Sequence, residues 1–291
     1  DTELSLLQLK NSLFMAKFDY NIIVIGGGSA GLVSAYIASA TKAKVALIEK
    51  NKMGGDCLNV GCIPSKALIA AAHNVQKARQ LSRFGACVDE PRIYFDRVHG
   101  HVHDTIAAIA PHDSVARFES LGVRVICAEG EFTDPRQLVA GGMRVQARRF
   151  VIATGSTAFV PPIPGLNQIF YLTNESIFGL TDCPEHLIII GGGPIGVELA
   201  QAFRRLGARV TVIEIATILG RDDNEAVEVV RTQLRAEGVD VIDAFLARTD
   251  DAREQVIDAH WGFAERYGRR IAPGMHGFDG FYYAVLERAA A

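Results

Sequence analysis

The sequence has no excess of basic charge, no long apolar run and no cysteine framework. Its 33 acidic and 30 basic residues leave a net charge of −3. No basic patch on that scale calls for nucleic acid or an anionic lipid surface. No apolar run reaches the roughly 18 residues needed to span a bilayer, and no signal peptide is visible. The five cysteines, Cys57, Cys62, Cys87, Cys127 and Cys183, are odd in number and mostly scattered, which argues against a secreted disulfide scaffold. No low-complexity segment interrupts the chain. These absences leave a soluble, cytoplasmic protein as the expectation.

What is present is a chain of 291 residues, 49% hydrophobic and 22% charged. That composition supports a real core and a length of about two domains. The sequence opens on Asp1, and Met15-Ala16-Lys17 reads as a natural start. Residues 1–14 then read as an upstream extension, in which Leu6, Leu9 and Leu13 fall at helical spacing, and 1–17 as the N-terminal segment ahead of the first domain.

An internal repeat organises the rest. Asn21–Ile25 is an apolar run that leads into Gly26-Gly27-Gly28-Ser29-Ala30-Gly31; a helix-like stretch to Ala40 and a second apolar run, Lys44–Ile48, end in Glu49. Leu187–Ile190 leads in the same way into Gly191-Gly192-Gly193-Pro194-Ile195-Gly196, a helix-like stretch to Leu206, and a run from Arg209 that ends in Glu214. The first glycine and the acid stand 23 residues apart in both copies (49 − 26 and 214 − 191). This is the pattern of strand, glycine turn, helix, strand and acid that binds a dinucleotide. The turn admits the pyrophosphate to the helix N-terminus, and the acid accepts hydrogen bonds from ribose hydroxyls. Two such sites in one chain suggest a flavin and a nicotinamide. A carboxylate at Glu214 pairs with a free 2′-hydroxyl and repels a 2′-phosphate, so NADH is expected over NADPH, with Arg221 seven residues on as a softening influence.

Between the copies lies Gly54-Gly55-Asp56-Cys57-Leu58-Asn59-Val60-Gly61-Cys62-Ile63-Pro64-Ser65-Lys66, followed by a helix-like stretch from Ala67. Cysteines five apart can form a disulfide if a first helical turn brings them together, and a helix N-terminus favours thiolate. The residues alone equally suit two buried cysteines. Zinc is the poorer reading, because no second pair with metal spacing appears, and no metal site is expected.

The cysteine segment, the two glycine turns and Val151-Ile152-Ala153-Thr154-Gly155-Ser156 together resemble the pyridine nucleotide–disulfide oxidoreductases, flavoproteins that include dihydrolipoamide dehydrogenase and mercuric reductase. The likeness runs over residues 18–241. It implies an α/β fold of two Rossmann-like three-layer units. An FAD-binding domain with the redox-active disulfide would occupy 18–157, and a partial NAD-binding domain 158–241. FAD would lie along Gly26, Gly28, Ser29, Ala30 and Gly31, with Glu49 and Lys50 at its ribose end. Gly55, Asp56, Lys66, Gly130 and the Ala153-Thr154-Gly155 turn would also touch it. The nicotinamide dinucleotide would lie along Gly191, Gly193, Ile195 and Gly196, with Glu214 on its ribose. Cys62 would be the thiolate beside the flavin, Cys57 the thiol that exchanges with a small disulfide or thiol substrate, and Lys66 would pair with Glu198 near the flavin's reactive nitrogen.

The resemblance stops near Val241. Within the sequence as given, the family's later FAD segment and its C-terminal dimerisation domain, with the His–Glu pair supplied across the homodimer, are missing. Weak or no disulfide turnover is therefore the expectation, and a non-catalytic FAD- or nucleotide-binding fragment from a gene fusion or truncation is the alternative. Residues 242–291 are a divergent tail whose Ala244–Arg248 and Ala272–Leu286 stretches are similar to the end of bacterial ribosomal-RNA cytosine-C5 methyltransferases. Phe281–Leu286 reads as a strand. Pro161-Pro162-Ile163-Pro164-Gly165 reads as a rigid crossover. His99, His101 and His103 alternate, and in a strand they would share a face that could bind metal; Phe95–Ala110 reads as a helix, in which His99 and His103 share a face and His101 does not, so a solvated helix face is the expectation.

Overall fold

The computed structural model describes residues 18–158 and 160–242, with five short strands between 252 and 288. Two compact units divide the chain. The first holds the chain up to Cys57 together with Ile109–Gly155, and the second holds Leu58–Ala108 and the residues from Ser156 onward.

The first unit is built on a six-stranded sheet of order β3-β2-β1-β6-β5-β4. Its parallel part comprises β1 (Tyr20–Ile25), β2 (Val45–Glu49), β3 (Val123–Cys127) and the end of β6 (Met143–Ile152). Strand β2 is buried along all five residues, as a parallel strand covered on both faces must be. Side chains alternate across it. Val45 and Leu47 pack with Leu32, Ala35 and Ala38 of helix α1 (Ser29–Ala40) and with Phe118 of α5 (Val115–Ser120). Ala46 and Ile48 face the other way, into Leu138, Ala140 and Val145. Those residues belong to the antiparallel meander of β4 (Gly130–Asp134), β5 (Gln137–Ala140) and the start of β6. The unit thus has three layers, one of which is a β-meander. Each fully buried Leu or Ile of this sheet is worth about 1.5–3 kcal/mol.

The second unit contains a parallel sheet of β7 (His186–Ile190), β8 (Arg209–Ile213) and β9 (Val239–Ile242). Helices α6 (Pro194–Arg205) and α7 (Asn224–Ala236) bury Phe203 and Leu234 against Val210 and Val212. On the other face Ile188 and Ile190 stay 56% and 55% exposed, so among the described residues that face has no covering layer. Two further helices, α3 (Cys62–Arg79) and α4 (Phe95–Ile109), pack here through Ala67, Leu68, Ala72, Phe95 and Val102. The Phe95 and Phe203 rings are 5.8 Å apart. The sequence assigns residues 58–108 to the first domain; the apolar faces of α3 and α4 share a cluster with Leu199, Ala200 and Phe203 of α6.

A buried ion pair ties the ends of α6 and α7. Arg205 donates to both carboxylate oxygens of Glu237 at 2.6 and 2.7 Å, and the side chains are only 12% and 6% exposed. Gln201 and Gln233 complete the carboxylate's partners.

In the tail, strands at Tyr282–Tyr283 and Val285–Arg288 overlap the predicted strand. The remainder of the tail reading and the whole N-terminal extension lie outside the described residues. Among the described residues no helix is long and apolar enough to cross a membrane.

Candidate functional site

The two glycine turns fold alike. Gly26 and Gly191 take φ of +105° and +111°, a left-handed conformation that glycine adopts at no steric cost. Gly31 and Gly196 let the following helix sit on the turn. A Cβ at either position would stand 1.8 or 2.2 Å from the carbonyl oxygen of Gly26 or Gly191. The first N–H groups of α1 and α6 face no side-chain cap, and neither first turn carries an acid. Helix α7 is the contrast: Asp223 accepts from Glu225 N and Ala226 N, and Glu225 lies in its first turn. Uncapped N–H donors at the positive end of a helix dipole, opened by glycine, form a cradle for a diphosphate.

The acids predicted to reach ribose are held identically. Glu49 accepts from Gly27 N at 2.5 Å and Asn51 N at 2.6 Å. Glu214 accepts from Gly192 N at 2.8 Å and Ala216 N at 3.1 Å. Each carboxylate oxygen keeps a further lone pair for a ribose hydroxyl. The middle glycines were not assigned a role from sequence, yet a Cβ at Gly27 would stand 3.0 Å from the Glu49 carboxylate, and one at Gly192 would stand 2.7 Å from Ile218. The duplication also runs further than the acid. Gly54 N donates to Gly27 O, and Leu219 N donates to Gly192 O, both at 2.8 Å. Each donor lies 27 residues beyond its acceptor (54 − 27 and 219 − 192). Leu219 takes φ +51° where the first copy has Gly54 at +88°. The signal available in sequence was the continued spacing, obscured because glycine is replaced by leucine.

The cradles differ in closure. A Cβ at Gly26 would meet the Ala153 carbonyl oxygen at 2.0 Å, and one at Gly55 would meet Gly28 Cα at 2.6 Å. The first cradle is therefore walled by the backbones of 54–55 and 153–154. Around Gly191 and Gly193 a Cβ would meet no described atom within 4 Å. The first unit thus gathers Gly26, Gly28, Ser29, Ala30, Gly31, Glu49, Gly55, Ala153 and Thr154 about one turn. Gly155 follows in left-handed conformation, and Gly130 opens β4 against Ile48. Lys50 turns to Glu129 at 3.5 Å on the surface. Asp56 lies in α2 (Gly55–Asn59). In the second unit Gly191, Gly193, Gly196 and Glu214 are gathered likewise, and Ile195 is 58% exposed at the helix start.

Cys57 is half-buried on α2, and Cys62 is exposed as the first residue of the 18-residue helix α3. No disulfide joins them in this structure. The bridge implied by the family likeness is therefore not present in this structure. Lys66, one turn beyond Cys62, donates to both oxygens of Glu198 on α6 at 2.8 and 2.9 Å. With the side chains 61% and 40% exposed, that pair contributes about 0–1 kcal/mol to stability, so it fixes position more than it holds the fold. FAD fits the donor set of the first cradle: a glycine turn without side chains at Gly26 and Gly28, uncapped helix donors and a positioned carboxylate. A nicotinamide dinucleotide fits the second on the same grounds.

Comparison with known proteins agrees. The family described as pyridine nucleotide-disulphide oxidoreductase matches residues 20–258, beyond the limit at 241 expected from motifs. Mercuric reductase of Bacillus cereus is 34% identical over 226 residues, covering 77% of this chain and 36% of that protein. Dihydrolipoyl dehydrogenase of Acholeplasma laidlawii is 32% identical over 246 residues, covering 80% and 71%. The HOCl-induced flavoprotein disulfide reductase RclA from Escherichia coli, solved as a Cu(II) complex, superposes with a TM-score of 0.65 at 30% identity, covering 76% of this chain and 48% of that one. The chain spans about a third to a half of the length of the mercuric reductases it matches. With its two nucleotide cradles and the match over most of its length, the chain belongs to the pyridine nucleotide-disulphide oxidoreductase family.

Proposed function

We propose that this chain holds FAD in the first cradle and NADH in the second, and serves a dihydrolipoyl dehydrogenase-like reduction of a small disulfide through Cys57 and Cys62. The observation that carries the reading is the pair of cradles that are built alike and closed differently. A walled site suits a resident cofactor, and an open one suits a nucleotide that must leave after each turnover. Bound FAD would supply two-electron transfer between reduced nicotinamide and a cysteine pair.

The chain's own residues have separable tasks. The helix donors after Gly28 and Gly193 bind diphosphate, and Glu49 and Glu214 orient the ribose. Glu214, fixed by two backbone N–H groups, cannot swing away from a 2′-phosphate, which supports NADH as the donor. Cys62 stands at the positive end of the α3 dipole. Cys57 thiolate would attack a substrate disulfide, breaking its S–S bond and releasing one thiol. Cys62 would then displace the second thiol and close the Cys57–Cys62 bond, which two electrons and two protons reopen. Glu198 holds the Lys66 ammonium as a fixed positive charge one helical turn from Cys62.

The test is the visible spectrum of the purified protein, reconstituted with FAD, before and after NADH. Flavin uptake near one equivalent, bleaching by NADH, and a long-wavelength thiolate–flavin band lost in Cys62→Ser are expected. Failure to take up FAD, or a clear preference for NADPH, overturns the corresponding part.

A further inference from the structure

Helix α4 carries a second chemical feature. His99 and His103 stand one turn apart, and their ring centroids are 4.2 Å from each other. His103 Nε2 lies 3.2 Å from the carbonyl oxygen of Phe178. A carbonyl can only accept, so this nitrogen carries the hydrogen and the Nδ1 lone pair is left for a ligand. A ring nitrogen fixed by a backbone carbonyl is the usual outer partner of a metal-bound imidazole. Asp96 adds a negative charge at the start of the same face, three residues before His99. Gly100, between the two histidines, leaves open space above the helix.

We propose that His99 and His103 form a two-imidazole site for a late first-row divalent cation of the copper, nickel and zinc class. Two metal–nitrogen bonds of about 2.0–2.1 Å each are short enough to close the gap between such rings with small side-chain rotations. Imidazole suits these ions, and affinity follows their usual order, with copper highest. Among the described residues no group of three or more metal-ligating side chains converges, so the remaining positions on the ion are taken by water and the site binds exchangeably. Metal bound there would clip one turn of α4 and, through His103, fix that turn to the Phe178 carbonyl. His101 lies on a different face of the helix, about 140° from the preceding Asp96 direction in a 3.6-residue repeat, and takes no part.

The experiment is calorimetric titration of the intact chain with Ni2+ as the probe, chosen because it does not oxidise thiols. Wild type is compared with His99→Gln, His103→Gln and His101→Gln, so that any binding to the cysteines is common to all four. His99→Gln leaves the His103–Phe178 bond in place, and circular dichroism of each variant checks the fold. One binding event that weakens at least about tenfold in His99→Gln and His103→Gln, and persists in His101→Gln, is expected. Equal binding in wild type and His99→Gln, or equal loss in His101→Gln, overturns the proposal.

Discussion

Alanine at Gly31 and at Gly196 should separate the two cradles. A Cβ at Gly31 would stand 1.8 Å from the Gly26 carbonyl oxygen, and one at Gly196 would stand 2.2 Å from that of Gly191. Real carbon–oxygen contacts begin near 3.0 Å, so α1 must rise by at least 1.2 Å (3.0 − 1.8) and α6 by 0.8 Å (3.0 − 2.2). Such overpacking costs about 1–3 kcal/mol of stability, which leaves most domains folded. The larger effect falls on binding. A shift near 1 Å takes helix N–H donors out of hydrogen-bond range of a diphosphate, and bonds to a charged acceptor are worth about 1.5–3 kcal/mol each. Losing two weakens binding by roughly 10²–10⁴-fold. Gly31→Ala is expected to purify without flavin absorbance. Gly196→Ala is expected to stay yellow and resist bleaching by NADH. A Gly31→Ala protein with full flavin content, or a Gly196→Ala protein that loses its flavin, refutes the assignment of cofactors to cradles.

Glu237→Ala leaves Arg205 buried without its charge partner, which typically costs about 3–5 kcal/mol; chemical denaturation of the second unit measures it, and a loss below about 1 kcal/mol contradicts the role given to the pair. Burial pushes the Glu237 carboxyl up, but hydrogen bonds from Arg205, Gln233 and Gln201 and the Arg205 charge together hold it below its ordinary value of 4.5. Its contribution is therefore fully present above that value and disappears as pH falls through the lower folded one, so Glu237→Gln should flatten the acid limb of a stability–pH curve. Burial also pushes the Cys183 thiol up, whereas Cys87 is exposed. Mass spectrometry of a brief iodoacetamide treatment should find Cys87 alkylated well before Cys183. Lys66→Met should change stability by less than about 1 kcal/mol while slowing flavin bleaching by NADH; an unchanged bleaching rate argues against its placement.

The strand–turn–helix–acid repeat was legible because period and glycine spacing are local, and both sheets formed where the apolar runs lay. Amphipathic spacing tells that Ala67, Leu68 and Ala72 are buried, but the packing of residues 58–108 against α6 has no local signature, because spacing does not name the neighbour. The approach of Lys66 to Glu198, 132 positions apart, came from family likeness and has no local signature. The backbone walls at Gly28 and Gly26 likewise have no local signature, and Gly55 and the Ala153-Thr154-Gly155 turn came to the first cradle only through the family likeness. The carboxylate grip on Gly27 and Gly192 has a signature in the spacing, since the acid stands 22 residues beyond the middle glycine in both copies.

The bare isoleucines of β7 have a practical consequence. Among the described residues one side of this parallel sheet exposes Ile188 and Ile190, and an apolar side of that kind is a ready template for another copy. At high concentration two molecules can shed water by laying these sides together, so light scattering that rises with protein concentration is the expected behaviour on the bench. A lysine in place of Ile188 would act as a gatekeeper there, keeping solutions clear without reaching either nucleotide turn.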